Sequence, residues 1–369
     1  MITNYNRPNF KSNGNIEPED DFEREDEDEK EMKVWEAGLA TAAAPFYFRP
    51  FDKGETSKNY IDGALHANLP IEYALEEMDN LWAKVDGGVT LDALISVGTG
   101  IQKKELDIPK ILEIGGFKQI FTSFHNNINS QRLWETFTNK PSISPEVRSR
   151  VHRLNASIEG DYVGIDNYKK MEAMEGMVER QIKESADVPS PLSRDIARAA
   201  DTLTASLFFF EPNSPNYGDT NLSMPTSGGR HELKGSIRCR LARNSQELKR
   251  LVDIVEGFWH REVHKTALSR PSEDEDESTS PTEKSDAERS KWTPIKLAEN
   301  WKNGIRTESA WFEVDCTIRT YDPAEAQQII AVTLTPPREE RHHYVLFDPV
   351  PISGFPISLK QLQRKAGWA

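Results

Sequence analysis

The sequence is poor in cysteine. Its 369 residues include only Cys239 and Cys316, which lie far apart along the chain. Two separated thiols supply neither a disulfide framework nor the ligands of a zinc site. We therefore expect both residues to be small apolar members of strands, in a protein of a reducing compartment.

The sequence also has no long hydrophobic run. No apolar stretch approaches the roughly 20 residues that a membrane-spanning helix needs. Residues 1–22 are polar and then acidic, which is not the pattern of a secretory signal peptide. These absences predict a cytoplasmic protein that has no transmembrane segment and touches membranes only peripherally.

The sequence also lacks a stripe of basic residues. The formal net charge is −14, and much of it lies in the acidic runs Glu17–Glu31 and Glu273–Glu277. An acidic chain without a basic surface is not expected to bind nucleic acid. The same charge suits any soluble protein whose copies repel each other. It does not predict an oligomeric state.

The N-terminal third alternates between helix and strand patterns. Trp35–Ala44 is rich in helix formers, and Phe46–Phe48 and Asn59–Ile61 are typical of short strands. Leu91–Val97 has the continuous apolar pattern of a strand buried in a parallel sheet. Strand, helix and strand in this order indicate an α/β layer.

A helix is predicted just before the last of these strands. Asn68 is a good N-cap, and Pro70 suits the first turn. Apolar residues then recur at helical spacing, and the glutamates between them are expected to face water. The apolar positions are Ile71, Ala74, Leu75, Met78 and Trp82, and the glutamates are Glu72, Glu76 and Glu77.

The remaining chain changes from helical to alternating patterns. Helices are predicted at 129–137, 168–183, 193–210 and 245–260, with Phe208, Phe209 and Phe210 as core residues. Alternation at 235–241, 311–319, 328–334 and 343–347 indicates an antiparallel β unit, which we interpret as a small sandwich.

These patterns divide the chain into four segments. Residues 1–185 form an α/β part with an acidic loop at 17–31, and residues 186–265 form a helical extension with the first β strand. Residues 266–292 are an acidic insert predicted to be disordered, and residues 293–369 are a β-rich C-terminal unit.

Asp62-Gly63-Ala64 is the first candidate for chemistry. An aspartate at the end of a strand, followed by glycine, sits on a tight turn where another chain can approach closely. Such a carboxylate could serve a partner side chain. Asp-Gly is also a common turn dipeptide, so on spacing alone a plain turn is the stronger interpretation.

The neighbours of Asp62 add context. In order come Trp35–Ala44, Ala44-Pro45-Phe46-Tyr47-Phe48, Tyr60-Ile-Asp-Gly-Ala-Leu65, Asn68-Leu-Pro70, Glu76 and Ile95-Ser-Val-Gly-Thr-Gly100. This succession resembles the second half of the patatin domain. That domain has an Ala-rich helix, an Asp-Gly-Gly/Ala motif, an Asn-Asn-Pro helix start and a Ser-x-Gly-Thr-Gly strand end. The opening Ile2-Thr-Asn-Tyr-Asn6 also resembles the family.

The resemblance is closest to the patatin-like proteins of filamentous fungi. It covers roughly residues 1–180 as the patatin part. Arg153-Leu-Asn155, Gly164-Ile-Asp166, Ser206–Phe210, Gly235–Leu241 and Ile352-Ser-Gly-Phe-Pro356 resemble the extensions of those proteins.

The resemblance implies a partial three-layer α/β/α core and a lipid acyl hydrolase that acts on phospholipid or lysophospholipid esters. In such a Ser–Asp dyad the serine attacks the ester and the aspartate takes its proton, with no cofactor. Asp62 would be the base, and Gly63 and Ala64 would shape its loop. Asn68, Gly98, Thr99 and Gly100 would support the site.

The nucleophile itself is missing. The Gly-x-Ser-x-Gly motif does not occur in the sequence, and neither does a Gly-Gly-Gly oxyanion loop. Ser96 has no glycine two residues before it, and Leu69 replaces the second asparagine of the helix start. We therefore expect a truncated hydrolase half that is inactive alone. The alternative is a non-catalytic remnant that binds lipid or protein.

Three other clusters are weaker candidates. His260 and His264, four residues apart on a predicted helix, could share a metal, but an ordinary histidine pair is favoured. His342 and His343 are expected to be solvated. Arg238, Arg240 and Arg243 could meet phosphate head groups, although an exposed strand face explains them better.

Overall fold

The structure is a computed structural model. It describes residues 31–44, 47–54, 58–82, 89–102, 130–160, 163, 167–183, 190–213, 231–263, 292–297, 301–302, 312–320, 327–335 and 349–365. Nearly all of the predicted acidic loop and acidic insert, and the predicted strand 343–347, lie outside these ranges. So do His264, His342 and His343.

The chain divides into two compact units. The first comprises Met1–Lys84 and Lys104–Lys140, and the second comprises Val85–Lys103 and Pro141–Ala369. The segment boundaries predicted from composition, at residues 185, 265 and 292, stay predictions.

The first unit combines helices with one small antiparallel sheet. In it lie α1 (Val34–Thr41), β1 (Phe51–Lys53), β2 (Lys58–Tyr60), α2 (Ala64–Ala67), α3 (Ile71–Trp82) and α4 (Ser130–Thr138). Strands β1 and β2 pair antiparallel, with Phe51 opposite Tyr60. Helix α1 buries the small residue Ala40, and Ala43 and Ala44 are buried just beyond its end.

The predicted strand at 46–48 is wrong. The N–H groups of Tyr47 and Phe48 both donate to the carbonyl of Ala44, at 3.1 and 2.9 Å. These bonds form a turn after α1, so the two amides are not available for a strand ladder. The strand begins instead at Phe51. The second predicted strand is confirmed as β2.

Helix α3 confirms the helical spacing from Ile71 to Trp82. Two details differ. Asn68 has a helical backbone (φ −65°, ψ −19°) at the end of α2, whereas an N-cap residue is extended, so the predicted N-cap is wrong. Glu77 was expected to face water but is buried.

The second unit begins with a parallel layer. Strands β3 (Leu94–Val97) and β5 (Val151–Leu154) pair in parallel, as do β4 (Ile101–Gln102) and β6 (Ser157–Ile158). Helix α5 (Pro145–Arg148) precedes β5, and helices α6 (Met171–Lys183) and α7 (Pro191–Ala205) follow β6. The parallel strand predicted within Leu91–Val97 is confirmed.

The complete burial expected for this strand is wrong. Ile95 is 36% exposed and Val97 is 74% exposed. Among the described residues β3 has one partner strand, β5, and its side chains alternate between more and less covered positions. One face of the strand therefore remains open.

The antiparallel β unit is confirmed in the same compact unit. One sheet has the order β11-β8-β7, and the other has the order β10-β9-β12-β13 with β14 also on β12. The strands are β7 (Phe208–Pro212), β8 (His231–Cys239), β9 (Val255–Val263), β10 (Thr293–Pro294), β11 (Glu313–Thr320), β12 (Gln327–Leu334), β13 (Val350–Pro351) and β14 (Ile357–Ser358). Helices α8 (Gln246–Ile254) and α9 (Leu359–Lys365) accompany these strands.

The two antiparallel sheets share one hydrophobic core. The ring of Phe208 lies 5.3 Å from that of Phe258 on the other sheet and 5.0 Å from that of Phe312. Phe208 and Phe210 are buried, which confirms their core role. The helix predicted to run through them ends at Ala205, because the aromatic run forms strand β7.

A second helix also ends earlier than predicted. Helix α8 ends at Ile254, and the residues expected to continue it form strand β9. The β-branched and aromatic residues Val255, Phe258 and Trp259 favour a strand. Ser245 caps α8 by accepting the N–H of Leu248 at 3.0 Å.

Candidate functional site

Asp62 lies between strand β2 and helix α2. Its N–H donates to the carbonyl of Ala43 at 3.0 Å, and its Oδ1 accepts the N–H of Ala64 at 2.8 Å. This second bond is an Asx turn, which fixes the carboxylate at the start of the helix. The side chain is half-buried, and among the described residues its other oxygen accepts no hydrogen bond.

The sequence predicted that another chain segment approaches Gly63 closely, but the structure shows no such neighbour. Its φ is −62° and its ψ is −17°, a conformation open to any residue. A Cβ added there would meet no atom within 4 Å. The space next to the Asp62 turn is therefore open in this structure.

The first unit exposes large apolar side chains. Trp35 and Leu39 on α1 are 59% and 52% exposed, and Phe48 is 66% exposed. Ile61, the residue before Asp62, is 42% exposed. Large exposed apolar residues next to a polar site are typical of surfaces that another molecule covers.

The Gly98–Gly100 turn lies at the carboxyl end of β3, in the second unit. The N–H of Gly98 donates to the carbonyl of Leu154 at 2.8 Å. The N–H of Gly100 donates to Oδ1 of Asn155 at 2.9 Å. Parallel strands end at one edge of a sheet, so the turn lies where ligands commonly bind in α/β proteins.

Glycine is required at both ends of this turn. A Cβ at Gly98 would collide with the side chain of Asn155 and lie 2.8 Å from Nη2 of Arg153. Gly100 has a φ of +103°, and a Cβ there would lie 2.5 Å from Cγ1 of Ile158. Thr99 between them is exposed.

Arg153 is a site residue that the sequence did not predict. It lies opposite Ser96 in the parallel pair, and its Nη1 donates to Oγ of Ser96 at 2.7 Å. Burial lowers the pKa of its guanidinium. In the sequence, Arg153 and Asn155 were noted only because their segment resembles the fungal patatin-like extensions. Arg153 is 57 residues from Ser96, so no local sequence pattern predicts that the two side chains bond.

The predicted site residues fall into two groups. Asp62, Gly63 and Ala64 lie at the start of the short helix α2 in the first unit, and Asn68 lies at its end. Gly98, Thr99 and Gly100 lie in the second unit. Each group has a defined local geometry of its own.

His260 is not part of a helical metal pair. It lies on strand β9, where its Nε2 and Oε1 of Gln328 are 2.8 Å apart. Burial lowers the pKa of its imidazole. The described residues contain no cluster of three or more histidine, cysteine or acidic side chains that could hold a metal ion.

Arg238 on strand β8 and Arg240 just after the strand already face carboxylates. Arg238 pairs with Glu211 at 2.6 Å and with Glu313 at 3.0 Å. Arg240 lies 3.6 Å from Oδ2 of Asp92. These ion pairs occupy the groups that would bind a phosphate, which favours the interpretation as a solvated strand face.

Both cysteines are buried strand residues. Cys239 lies on β8 and Cys316 on β11. Burial raises the pKa of both thiols, that of Cys316 to about 12. Neither is suited to act as a nucleophile, because the reactive form is the thiolate.

No helix among the described residues is both long enough and apolar enough to cross a bilayer.

A family model described as patatin-like phospholipase matches residues 1–75. A second, described as Domain of unknown function (DUF8392), matches residues 232–367. No curated protein and no solved structure matches the chain. Residues 1–75, which contain Asp62, are thus similar to patatin-like phospholipases, and residues 232–367 are similar to a domain family of unknown function.

Proposed function

We propose that this chain supplies the aspartate of a lipid acyl hydrolase that acts on phospholipid or lysophospholipid esters at a membrane surface. The serine nucleophile and the oxyanion loop would come from polypeptide outside these 369 residues. The carrying observation is Asp62, whose carboxylate is fixed through one oxygen by Ala64 while the other accepts no bond among the described residues.

The proposed chemistry needs only that second oxygen. As the serine oxygen attacks the ester carbonyl, its proton passes to Asp62, and a bond forms between the serine oxygen and the acyl carbon. Asp62 then gives this proton to the alcohol oxygen as the bond between the acyl carbon and that oxygen breaks. In the second half Asp62 takes a proton from water, the water oxygen bonds to the acyl carbon, and the proton returns to the serine oxygen as the acyl–serine bond breaks. Backbone N–H groups of the missing loop would stabilise the oxyanion.

An open face of the parallel sheet supports the proposal. Ile95 and Val97 are exposed on this face. Parallel sheets are normally covered on both faces. We propose that the strands and helices that carry the serine cover this face and complete a three-layer α/β/α core there.

An isolated-chain experiment tests the first half of the proposal. The purified 369-residue protein is treated with a serine-directed fluorophosphonate, and the adduct is quantified by mass spectrometry. We expect no stoichiometric adduct, since the chain lacks Gly-x-Ser-x-Gly. One adduct per chain, lost in Asp62→Ala, would show that a serine of this chain is the nucleophile and would overturn the proposal.

A further inference from the structure

The loop Ile352–Phe355 of the domain of unknown function touches the parallel layer. Ser353 Oγ donates to Oδ2 of Asp92 at 2.7 Å, and the N–H of Gly354 donates to Oδ1 of Asp92 at 3.2 Å. Asp92 lies two residues before strand β3, and 261 positions separate it from Ser353. One carboxylate therefore joins the start of a parallel strand to the C-terminal loop.

Arg150 makes the same connection from the neighbouring strand. It is 2% exposed, and it precedes β5 directly. Its Nη2 donates to the carbonyls of Ile352 and Phe355 at 3.2 and 2.6 Å, while Nη1 donates to the carbonyl of Asp92 at 3.1 Å. A buried guanidinium of this kind is stable only while its acceptors stay in place.

Arg240, which directly follows strand β8, also bonds to these residues. Its Nη2 donates to Oγ of Ser353 at 2.8 Å, and its Nη1 lies 3.6 Å from Asp92. We refer to Asp92, Arg150, Arg240 and Ser353 as the Asp92 network. Asp92 and Arg150 come from the parallel layer, Arg240 follows a strand of one antiparallel sheet, and Ser353 follows a strand of the other. All four residues lie in the second compact unit.

The loop is also fixed on its other side. The N–H of Ser353 donates to the carbonyl of Phe208, and the N–H of Ile352 donates to the carbonyl of Ile330. Ile352 and Phe355 are buried in the core between the two antiparallel sheets. The loop is therefore bonded on one side to the β unit and on the other to the residues just before β3 and β5.

From this geometry we propose a role for the domain of unknown function. It acts as an intramolecular partner of the parallel layer, and its loop Ile352–Phe355, through the Asp92 network, holds β3 and β5 in register. Strand β3 ends in the Gly98–Gly100 turn, so the domain also fixes that turn. This role does not depend on hydrolase activity.

Hydrogen–deuterium exchange of the full chain tests the coupling. Ser353→Ala and Asp92→Asn are each compared with wild type, and exchange is followed in peptides spanning 94–102 and 350–358. We expect exchange in 94–102 to rise roughly tenfold or more in both variants, because each removes or weakens at least one hydrogen bond to a charged group, and the loss of one such bond corresponds to about a factor of ten. Arg150→Met, if it folds, should show a larger rise in the same peptide.

Ser358→Ala is the matched control for Ser353→Ala. Ser358 is a second buried serine of the same domain, but its side chain bonds Gln361 within the C-terminal helix start. Its loss should accelerate exchange near residue 358 and leave 94–102 unchanged. The proposal is wrong if Ser353→Ala affects only 350–358, or if both serine variants accelerate 94–102 equally.

Discussion

Asn155 accepts the N–H of Gly100 through its side-chain Oδ1 at 2.9 Å, which closes the turn that follows strand β3. The two residues are 55 positions apart, yet the parallel pairing of β3 with β5 places them side by side. The turn is therefore held by the side chain of the residue that follows the neighbouring strand β5, and not only by its own sequence.

Removing this acceptor should loosen the turn. We expect Asn155→Ala to lower the free energy of unfolding by about 1–2 kcal/mol, because the half-buried N–H of Gly100 loses its partner. Asn155→Asp keeps an acceptor and should lose less. Urea denaturation followed by circular dichroism measures both. Equal stability of Asn155→Ala and wild type would contradict the role of this bond.

Gly100 and Gly160 separate two effects of a glycine replacement. Both have a positive φ, +103° and +99°, so alanine strains the backbone at either position. Only at Gly100 would the added Cβ strike a side chain, that of Ile158, whereas Gly160 faces open space.

We therefore expect Gly100→Ala to cost clearly more than Gly160→Ala. The strain shared by both should cost about 1–2 kcal/mol, and the collision should add at least ~1 kcal/mol at Gly100. Thermal or urea unfolding of the two variants gives the difference directly. Equal losses would mean that Ile158 moves aside without cost.

Asp201 on helix α7 should make stability depend on pH. Burial raises the pKa of its carboxyl from 3.8 to about 6. The folded state then binds the proton more tightly than the unfolded state, so stability is greatest below pH 3.8 and falls as pH rises through about 6.

Asp201→Asn removes the free-energy cost of burying the ionised carboxylate. We expect the variant to be more stable than wild type by about 1 kcal/mol at pH 8, after allowance for solvent screening, and nearly unchanged at pH 4. Glu172→Gln, at an exposed position of helix α6, is the control and should change little at either pH. A gain for Asp201→Asn that is the same at both pH values would contradict the ionisation argument.

The thiols of the two cysteines should not react in the native protein. Both are buried, and burial raises the pKa of both thiols. A disulfide exchange reagent at pH 8 should therefore release far less than one equivalent from the native chain and two after denaturation. Rapid release of one equivalent before denaturation would show that one of these strands is open to solvent.

Local patterns in the sequence predicted local features well. The helix from Ile71, the strand at Lys58–Tyr60 and the alternating strand β11 all follow periodicities of a few residues. Strand β12 was also predicted, but its residues after Gln327 are all buried rather than alternating. The turn at Asp62 was also predicted from the sequence, because aspartate followed by glycine favours a turn.

Features that depend on distant partners were not predicted. The β-branched and aromatic residues from Val255 onward only weakly favour a strand, and the pairing with Gln327–Leu334 decides that the chain leaves helix α8 for strand β9. The same holds for Arg153 and Ser96, and for Asp92 and Ser353. Propensity gives a weak preference at such positions, and tertiary pairing decides the outcome.

The most direct test supplies the missing nucleophile. A patatin-like segment that carries the Gly-Gly-Gly loop and Gly-x-Ser-x-Gly is fused before Met1, and hydrolysis of a lysophospholipid and of a nitrophenyl ester is measured. We expect activity in the fusion, none in the 369-residue chain, and a loss of roughly 10²–10⁴-fold in the fusion with Asp62→Asn. A folded fusion whose activity is unchanged by Asp62→Asn, or full activity of the chain by itself, would contradict the account.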